Sequence, residues 1–186
     1  MQTDTGNYTL TYTGQKFSFL DPQQATIEIK DIAWALAHTP RWGGHTLEPY
    51  SVAQHSITVS YLVGRDGGWE APQMYALLHD ASEAYIGDLP SPVKRFLPEY
   101  REMEAKIQYA INHRFNVLDP SGLWSEMTER ADADAFRWEA RDLMLDGAGG
   151  CIRPPSENFP RLSPLCPEYA YEAFMETFGN LEAGLL

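Results

Sequence analysis

An adjacent histidine–aspartate pair, His79-Asp80, sits inside an apolar run that extends from Ala76 to Ile86 and also holds Glu83. Ionisable groups among apolar residues are costly to bury unless they are paired or bind a metal. Two more groups of metal-ligand type lie elsewhere at helical spacing. His55 shares a stripe with Val52, Val59, Leu62 and Val63. A lone histidine on such a stripe is usually an ordinary core residue, so its weight comes from its company. Between Leu123 and Leu145 two acids compete for an inward position. Asp132 aligns with Phe136 and Leu143, whereas Asp134 aligns with Trp138 and Arg141. The first stripe is the more apolar, which predicts Asp132 as the inward acid. Two imidazoles and two carboxylates from three helices suit Zn, Mn, Fe or Co. Such a set supports hydrolysis by an activated water, with a phosphoryl oxygen polarised beside it.

Helices must do most of the positioning. Tyr8, Leu10 and Tyr12 alternate with threonines, and Phe17 and Phe19 alternate with Lys16 and Ser18 after Gly14-Gln15. Residues 1–20 therefore predict a β-hairpin with a II′ turn. Asp31 is expected to cap a helix over Ile32–His38 that Pro40 stops. The loop Arg41-Trp42-Gly43-Gly44-His45 joins a cation, a large aromatic and two flexible residues. Ser51 and Gln54 have the spacing of a capping box and open the helix of His55. Pro72 suits the start, and Gly87 the end, of one helix through the His-Asp pair. That helix makes His79 and Glu83 i,i+4 neighbours and leaves Asp88 just beyond its end. Leu89-Pro90-Ser91-Pro92 forces an extended exit. Pro98–Phe115 and Leu123–Leu145 read as two further helices, 147–167 as a surface loop, and Pro167 as the start of a last helix ended by Gly179. The fold class is mainly α, a helical bundle with a small N-terminal β-hairpin. One domain holds the hairpin (1–20), a helical metal-binding core (31–145), and a loop with a C-terminal helix (146–186).

A chain of 186 residues is long enough for one domain with a sizeable core. Its net charge of -12 argues against long nucleic acid as a partner. A small anionic substrate remains open, because a bound cation and a few basic side chains outweigh the global charge locally. Cys151 and Cys166 form no Cys-x-x-Cys, which predicts no disulfide framework and fits a reducing cytoplasm. Met1–Thr5 lacks the basic and apolar regions of a leader, and no stretch is long enough to span a membrane.

His55, His79-Asp80 and Asp132 stand in the order H…HD…D, and the sequence resembles the HD-domain metal-dependent phosphohydrolases. Val52–Ser56, Leu77–Ala84, Gly87–Lys94 and Arg130–Asp132 look like the bacterial 5′-deoxynucleotidase branch. They look still more like the small phage and bacterial HD hydrolases, phage dATP triphosphohydrolases among them. The likeness spans roughly residues 7 to 145. It implies an HD-domain bundle with a divalent metal (Zn, Co, Mn or Mg) on His55, His79, Asp80 and Asp132. It also implies a small nucleotide substrate and a homo-oligomer. Glu83 would position or deprotonate the attacking water, or pass a proton to the leaving group. Asp88 would hold the sugar hydroxyl or a second metal. Arg41 would bind a phosphate through charge-assisted hydrogen bonds, and Trp42 would pack on base or sugar. Lys94 and Arg130 would contact phosphate, where a solvated charge is the bland alternative. His45 would stand behind the ligands or bind a second metal; a local loop hydrogen bond is its bland alternative. Gly43-Gly44 stand where a dATP-specific site would carry a bulky residue, so rejection of a 2′-hydroxyl would fall to Phe17 or Phe19. The resemblance favours hydrolysis of a dNTP to deoxynucleoside and triphosphate. The alternatives are a 5′-deoxynucleotidase acting on dNMPs, a non-catalytic nucleotide-binding module, and a cyclic-nucleotide or alarmone hydrolase.

Overall fold

The hairpin and eight helices of a computed structural model are described over residues 6–22, 27–153 and 159–185. The reading of Met1–Thr5 as lacking a leader falls outside them, as does the middle of the 147–167 loop. Strand β1 (Tyr8–Leu10) pairs antiparallel with β2 (Lys16–Ser18), with Thr9 opposite Phe17. The connection is not a two-residue II′ turn. Gly14 N–H donates to Thr11 O, Thr11 N–H donates to Gln15 O, and Gly14 has φ 83°. This is a type I turn closed by a left-handed glycine, the usual longer hairpin loop. The loop leaves Thr13 free to donate its N–H and hydroxyl to Asp31, at 2.6 and 2.9 Å.

Those two bonds explain why Asp31 is not a cap. Helix α1 runs Ile29–His38, with Asp31 inside its first turn and its carboxylate spent on the hairpin. Helix α2 (Val52–Arg65) begins with Ser51 Oγ accepting from Gln54 N–H. Gln54 does not return the bond. Its side chain reaches Ser163 O and Leu165 N and anchors the segment before α8 (Pro167–Leu185).

Helix α2 lies at the centre. It packs on α1, on α3 (Glu70–Leu77), on α7 (Leu123–Leu143) and on α8. Between α3 and α7 come the short α4 (Glu83–Ile86), α5 (Ser91–Lys94) and the longer α6 (Pro98–Arg114). Ile32, Leu36, Val52, Leu77, Leu78, Ile107, Ile111 and Phe174 form the main core. A second cluster joins Val59, Leu62 and Val63 to Ala131, Ala135 and Trp138. Helix α8 continues through Gly179 rather than ending there. Ala170, Phe174, Phe178 and Leu181 keep one buried stripe across the glycine. Packing of that stripe outweighs the ~1 kcal/mol that an interior glycine costs a helix. Cys151 and Cys166 are both free thiols. No helix among the described residues is long and apolar enough to cross a membrane.

Candidate metal centre and substrate site

The helix expected to run unbroken through His79-Asp80 is interrupted there. Helix α3 stops at Leu77, residues 78–82 form successive turns, and α4 starts at Glu83. His79, Ala81 and Glu83 each donate their N–H to the carbonyl three residues back, the tighter pattern of a 3₁₀ helix. Gln108 of α6 holds this break. Its Oε1 accepts from Ser82 N–H at 3.1 Å, and its Nε2 donates to Leu78 O at 2.7 Å. His79 Nδ1 bonds Ala76 O at 2.7 Å. The His-Asp pair is thus presented from a fixed turn between two helices, and no sequence signal announced Gln108.

Three of the expected ligands converge. One donor atom from each of His55, His79 and Asp80 lies within 4.8 Å of the others. Asp132 approaches from α7, its Oδ1 3.1 Å from His55 Nε2. Asp80 Oδ2 stands 3.2 Å from His79 Nε2 and 3.7 Å from His55 Nε2. Both Nε2 atoms are nevertheless buried without a hydrogen-bond partner among the described residues. The opposite ring nitrogens are committed, His79 Nδ1 to Ala76 O and His55 Nδ1 to Glu139 Oε1 at 2.6 Å. A carbonyl or an ionised carboxylate can only accept, so each Nδ1 carries a proton, which leaves each Nε2 as the nitrogen whose lone pair a metal would take in place of its proton. Two buried Nε2 atoms facing carboxylates fit a divalent cation, which would satisfy all of them together. Burial opposes the ionised form of Asp80, but His79, His55 and Arg41 hold it well below the ordinary carboxylate range. Asp132 is held down against the same burial chiefly by His55. Both carboxylates are therefore ionised at neutral pH, as metal ligands must be.

Glu139 was not foreseen. It lies seven residues beyond Asp132 on α7, fully buried, so two helical turns placed it on the same face. Its Oε1 takes His55, and its Oε2 accepts from Trp42 Nε1 at 3.0 Å and from Arg41 at 3.4 Å. The stripe used to choose Asp132 has an unexpected meaning. Phe136 is 38 % exposed and is no core residue. It stacks on Trp42, with ring centroids 4.5 Å apart. The face carrying Asp132, Phe136 and Glu139 therefore walls the site. The α7 core face is Ala131, Ala135 and Trp138. Asp134 pairs with Arg137 at 2.7 Å on the outer side.

The loop holding Arg41 and Trp42 is pinned at its base. Pro40 and Ser51 form an isolated antiparallel bridge, with Arg41 N–H donating to Tyr50 O and Val52 N–H to Thr39 O. Trp42, Gly43 and Gly44 all have positive φ, at 58, 59 and 79°. Gly43-Gly44 thus serve the backbone, since glycine tolerates this region. Trp42 does so only under strain, held by its bond to Glu139 and its stack on Phe136.

Glu83 is 3 % exposed and faces Lys94 at 3.0 Å through Oε1, while Oε2 has no partner among the described residues. Burial, with the charges of Asp80 and Asp88, pushes it up to about 8 against the pull of Lys94. Asp88 follows Gly87, whose carbonyl accepts from the Tyr100 hydroxyl at 2.7 Å. Its carboxylate lies 3.9 Å from Arg41 and is raised chiefly by burial. Lys94 is shared by Glu83 and Glu104 instead of standing free. Arg130 is exposed, bonds Glu126 O, and lines an outer groove with Asp66, Glu129, Asp134 and Arg137. The structure does not bring it to the site. Phe17 is fully buried against Tyr85 and cannot meet a sugar. Phe19 packs partly buried against the same core, and His45 is exposed.

Residues 32–131 match the family model described as 5′-deoxynucleotidase YfbR-like. The chain belongs to that family, and with it to the HD-type phosphohydrolases. It is 39 % identical to the Escherichia coli protein YfdR over 176 residues, 92 % of this chain and 93 % of YfdR. A Rhodobacter capsulatus protein is 40 % identical over 138 residues, 70 % of each chain. A 5′-deoxynucleotidase of Vibrio parahaemolyticus is 35 % identical over 86 residues, 40 % of this chain and 44 % of that enzyme. The family match ends one residue before Asp132.

Proposed function

We propose that the protein is a 5′-deoxynucleotidase, hydrolysing a deoxynucleoside 5′-monophosphate to deoxynucleoside and phosphate. The observation carrying the reading is the pair of buried imidazole Nε2 atoms without a hydrogen-bond partner among the described residues, facing Asp80 and Asp132. His55, His79, Asp80 and Asp132 would hold a divalent cation. When bound it supplies Lewis-acid stabilisation of the charge that develops at phosphorus. Arg41 binds the phosphate oxygens, oriented by Glu139 and Asp88. Glu83 holds a proton at neutral pH and gives it to the 5′-oxygen as the P–O5′ bond breaks and water's oxygen joins phosphorus; one proton of that water stays on the released phosphate and the other returns to Glu83. Trp42 forms the wall beside Phe136 on which sugar or base rests. Asp88 accepts from a sugar hydroxyl.

A monophosphate fits better than the triphosphate favoured by the phage-type likeness. The family model is described as 5′-deoxynucleotidase, and the Vibrio parahaemolyticus relative carries that name. The charges agree. The arginine and lysine acting on Asp80, Glu83 and Asp88 are Arg41 and Lys94, and both are already paired with carboxylates. A triphosphate would bring about four negative charges to this acidic cleft and a monophosphate about two, and with a divalent cation in place the smaller anion is the better matched to two cations already engaged. The test is a substrate panel: metal-loaded protein with each dNMP, NMP and dNTP, and products separated by chromatography. Nucleoside and phosphate from dNMPs support the proposal; triphosphate release alone refutes it. Asp80→Ala is expected to abolish turnover while helix content by circular dichroism is retained.

A further inference from the structure

The carboxylate of Glu139 does two jobs at once. One oxygen, Oε1, holds the Nδ1 of His55 at 2.6 Å, and the other, Oε2, receives Trp42 Nε1 at 3.0 Å and Arg41 at 3.4 Å. The side chain has no exposure. A carboxylate is rigid and planar, so a shift of one oxygen moves the other. The imidazole side faces the metal donors, and the indole and guanidinium sides belong to the substrate loop. Trp42 sits in a backbone region that an L side chain occupies only under strain, with φ 58°. The bond to Glu139 and the stack on Phe136 are what keep it there.

From this arrangement we infer that Glu139 is a positioning residue that couples the metal centre to the Arg41–Trp42 loop. The inference rests on the proposed metal role of His55, but not on the identity of the nucleotide. Glu139 fixes the tautomer and aim of His55, and a carboxylate behind a metal-binding imidazole strengthens it as a ligand. When His55 is drawn onto a cation its ring shifts, Glu139 follows, and the loop is carried with it. Coupling of this kind is reciprocal, so weakening the loop's hold on Glu139 weakens metal binding in turn.

Zn²⁺ titration of the full chain tests this without any substrate. Calorimetry gives the affinity, and tryptophan emission compared between wild type and Trp42→Phe isolates the response of Trp42. Glu139→Gln keeps the shape and loses the charge. It is expected to bind Zn²⁺ at least tenfold more weakly, the usual cost of losing such a partner, and to lose the Zn²⁺-dependent change at Trp42. Wild-type affinity in Glu139→Gln, with the Trp42 response intact, overturns the inference. Should Glu139→Gln fail to fold, wild type against Trp42→Phe decides alone. A Zn²⁺ response that disappears with Trp42 supports coupling, and one identical in both proteins overturns it. Failure of the dNMP reading would be seen separately, as normal Zn²⁺ behaviour without turnover.

Discussion

Lys94 Nζ lies 3.0 Å from Glu83 Oε1 and 2.6 Å from Glu104 Oε1, so one half-buried ammonium is divided between an acid of the site and an acid of α6. Burial is the main force that pushes Glu83 up to about 8, and Lys94 opposes it. A group that donates a proton works below its pKa, so turnover falls as pH rises through that value. Lys94→Met removes the opposing charge. The alkaline limb of kcat against pH is expected to move up by ~1 unit, read at saturating substrate. A limb that stays in place would mean that Glu83 does not supply the proton.

The metal-free protein has a signed pH dependence. His55 is raised from 6.5 to about 9, burial and Arg41 being outweighed by Glu139 and Asp132. Its stabilising contribution is full below 6.5 and is lost as pH rises through 9. Glu83, raised from 4.5 to about 8, contributes fully below 4.5 and loses that contribution as pH rises through 8. Both have the same sign between pH 6.5 and 9. Tm in chelator is expected to fall across that window, and Glu83→Gln to flatten the fall. A divalent ion at a hundred times its Kd should add ~2.7 kcal/mol. A Tm that climbs with pH in chelator would contradict the assignment.

Gln108→Leu removes the clamp on the His79–Asp80 turn. It leaves Leu78 O and Ser82 N–H without their partners, and Asn112 without its bond from Nε2. Unsatisfied buried groups cost about 1–3 kcal/mol each. Urea unfolding should show a loss of at least ~2 kcal/mol, together with weaker Zn²⁺ binding. Stability lost with Zn²⁺ affinity intact would limit Gln108 to a structural part.

Asp132 and Asp134 are two residues apart and differ in surroundings. Asp132→Ala is expected to remove metal binding. Asp134→Ala breaks only a surface pair with Arg137, so a stability change within about 0.5 kcal/mol is expected, with activity kept. Loss of activity in Asp134→Ala, with Asp132→Ala active, would reverse the roles of the two acids. Denaturation curves and Zn²⁺ titrations of both variants decide.

The α-helical class and the hairpin were legible because periodicity and punctuation report local structure. The meeting of His55 with His79-Asp80 was legible because each sits on an apolar stripe. Three features were not. The break at residues 78–82 is made by Gln108, a distant side chain that replaces helical hydrogen bonds. Lys94 was expected as a free phosphate contact, but local sequence does not reveal Glu104 beside it. Glu139 is an ordinary acid in a charged helix until the fold sets Trp42 and His55 against it. Asp132 was selected through Phe136, which turned out to mark the wall of the site rather than the core. The stripe led to the acid beside His55 through a residue that lines the site and not the core.

Hydrolysis of dAMP and of dATP in ¹⁸O-labelled water, with chelated and metal-restored protein, tests the central claim most directly. Metal-restored protein should turn dAMP into unlabelled deoxyadenosine and singly labelled phosphate, and chelated protein should do nothing. Triphosphate released from dATP with dAMP untouched, label in the nucleoside, or undiminished turnover in chelator would contradict it.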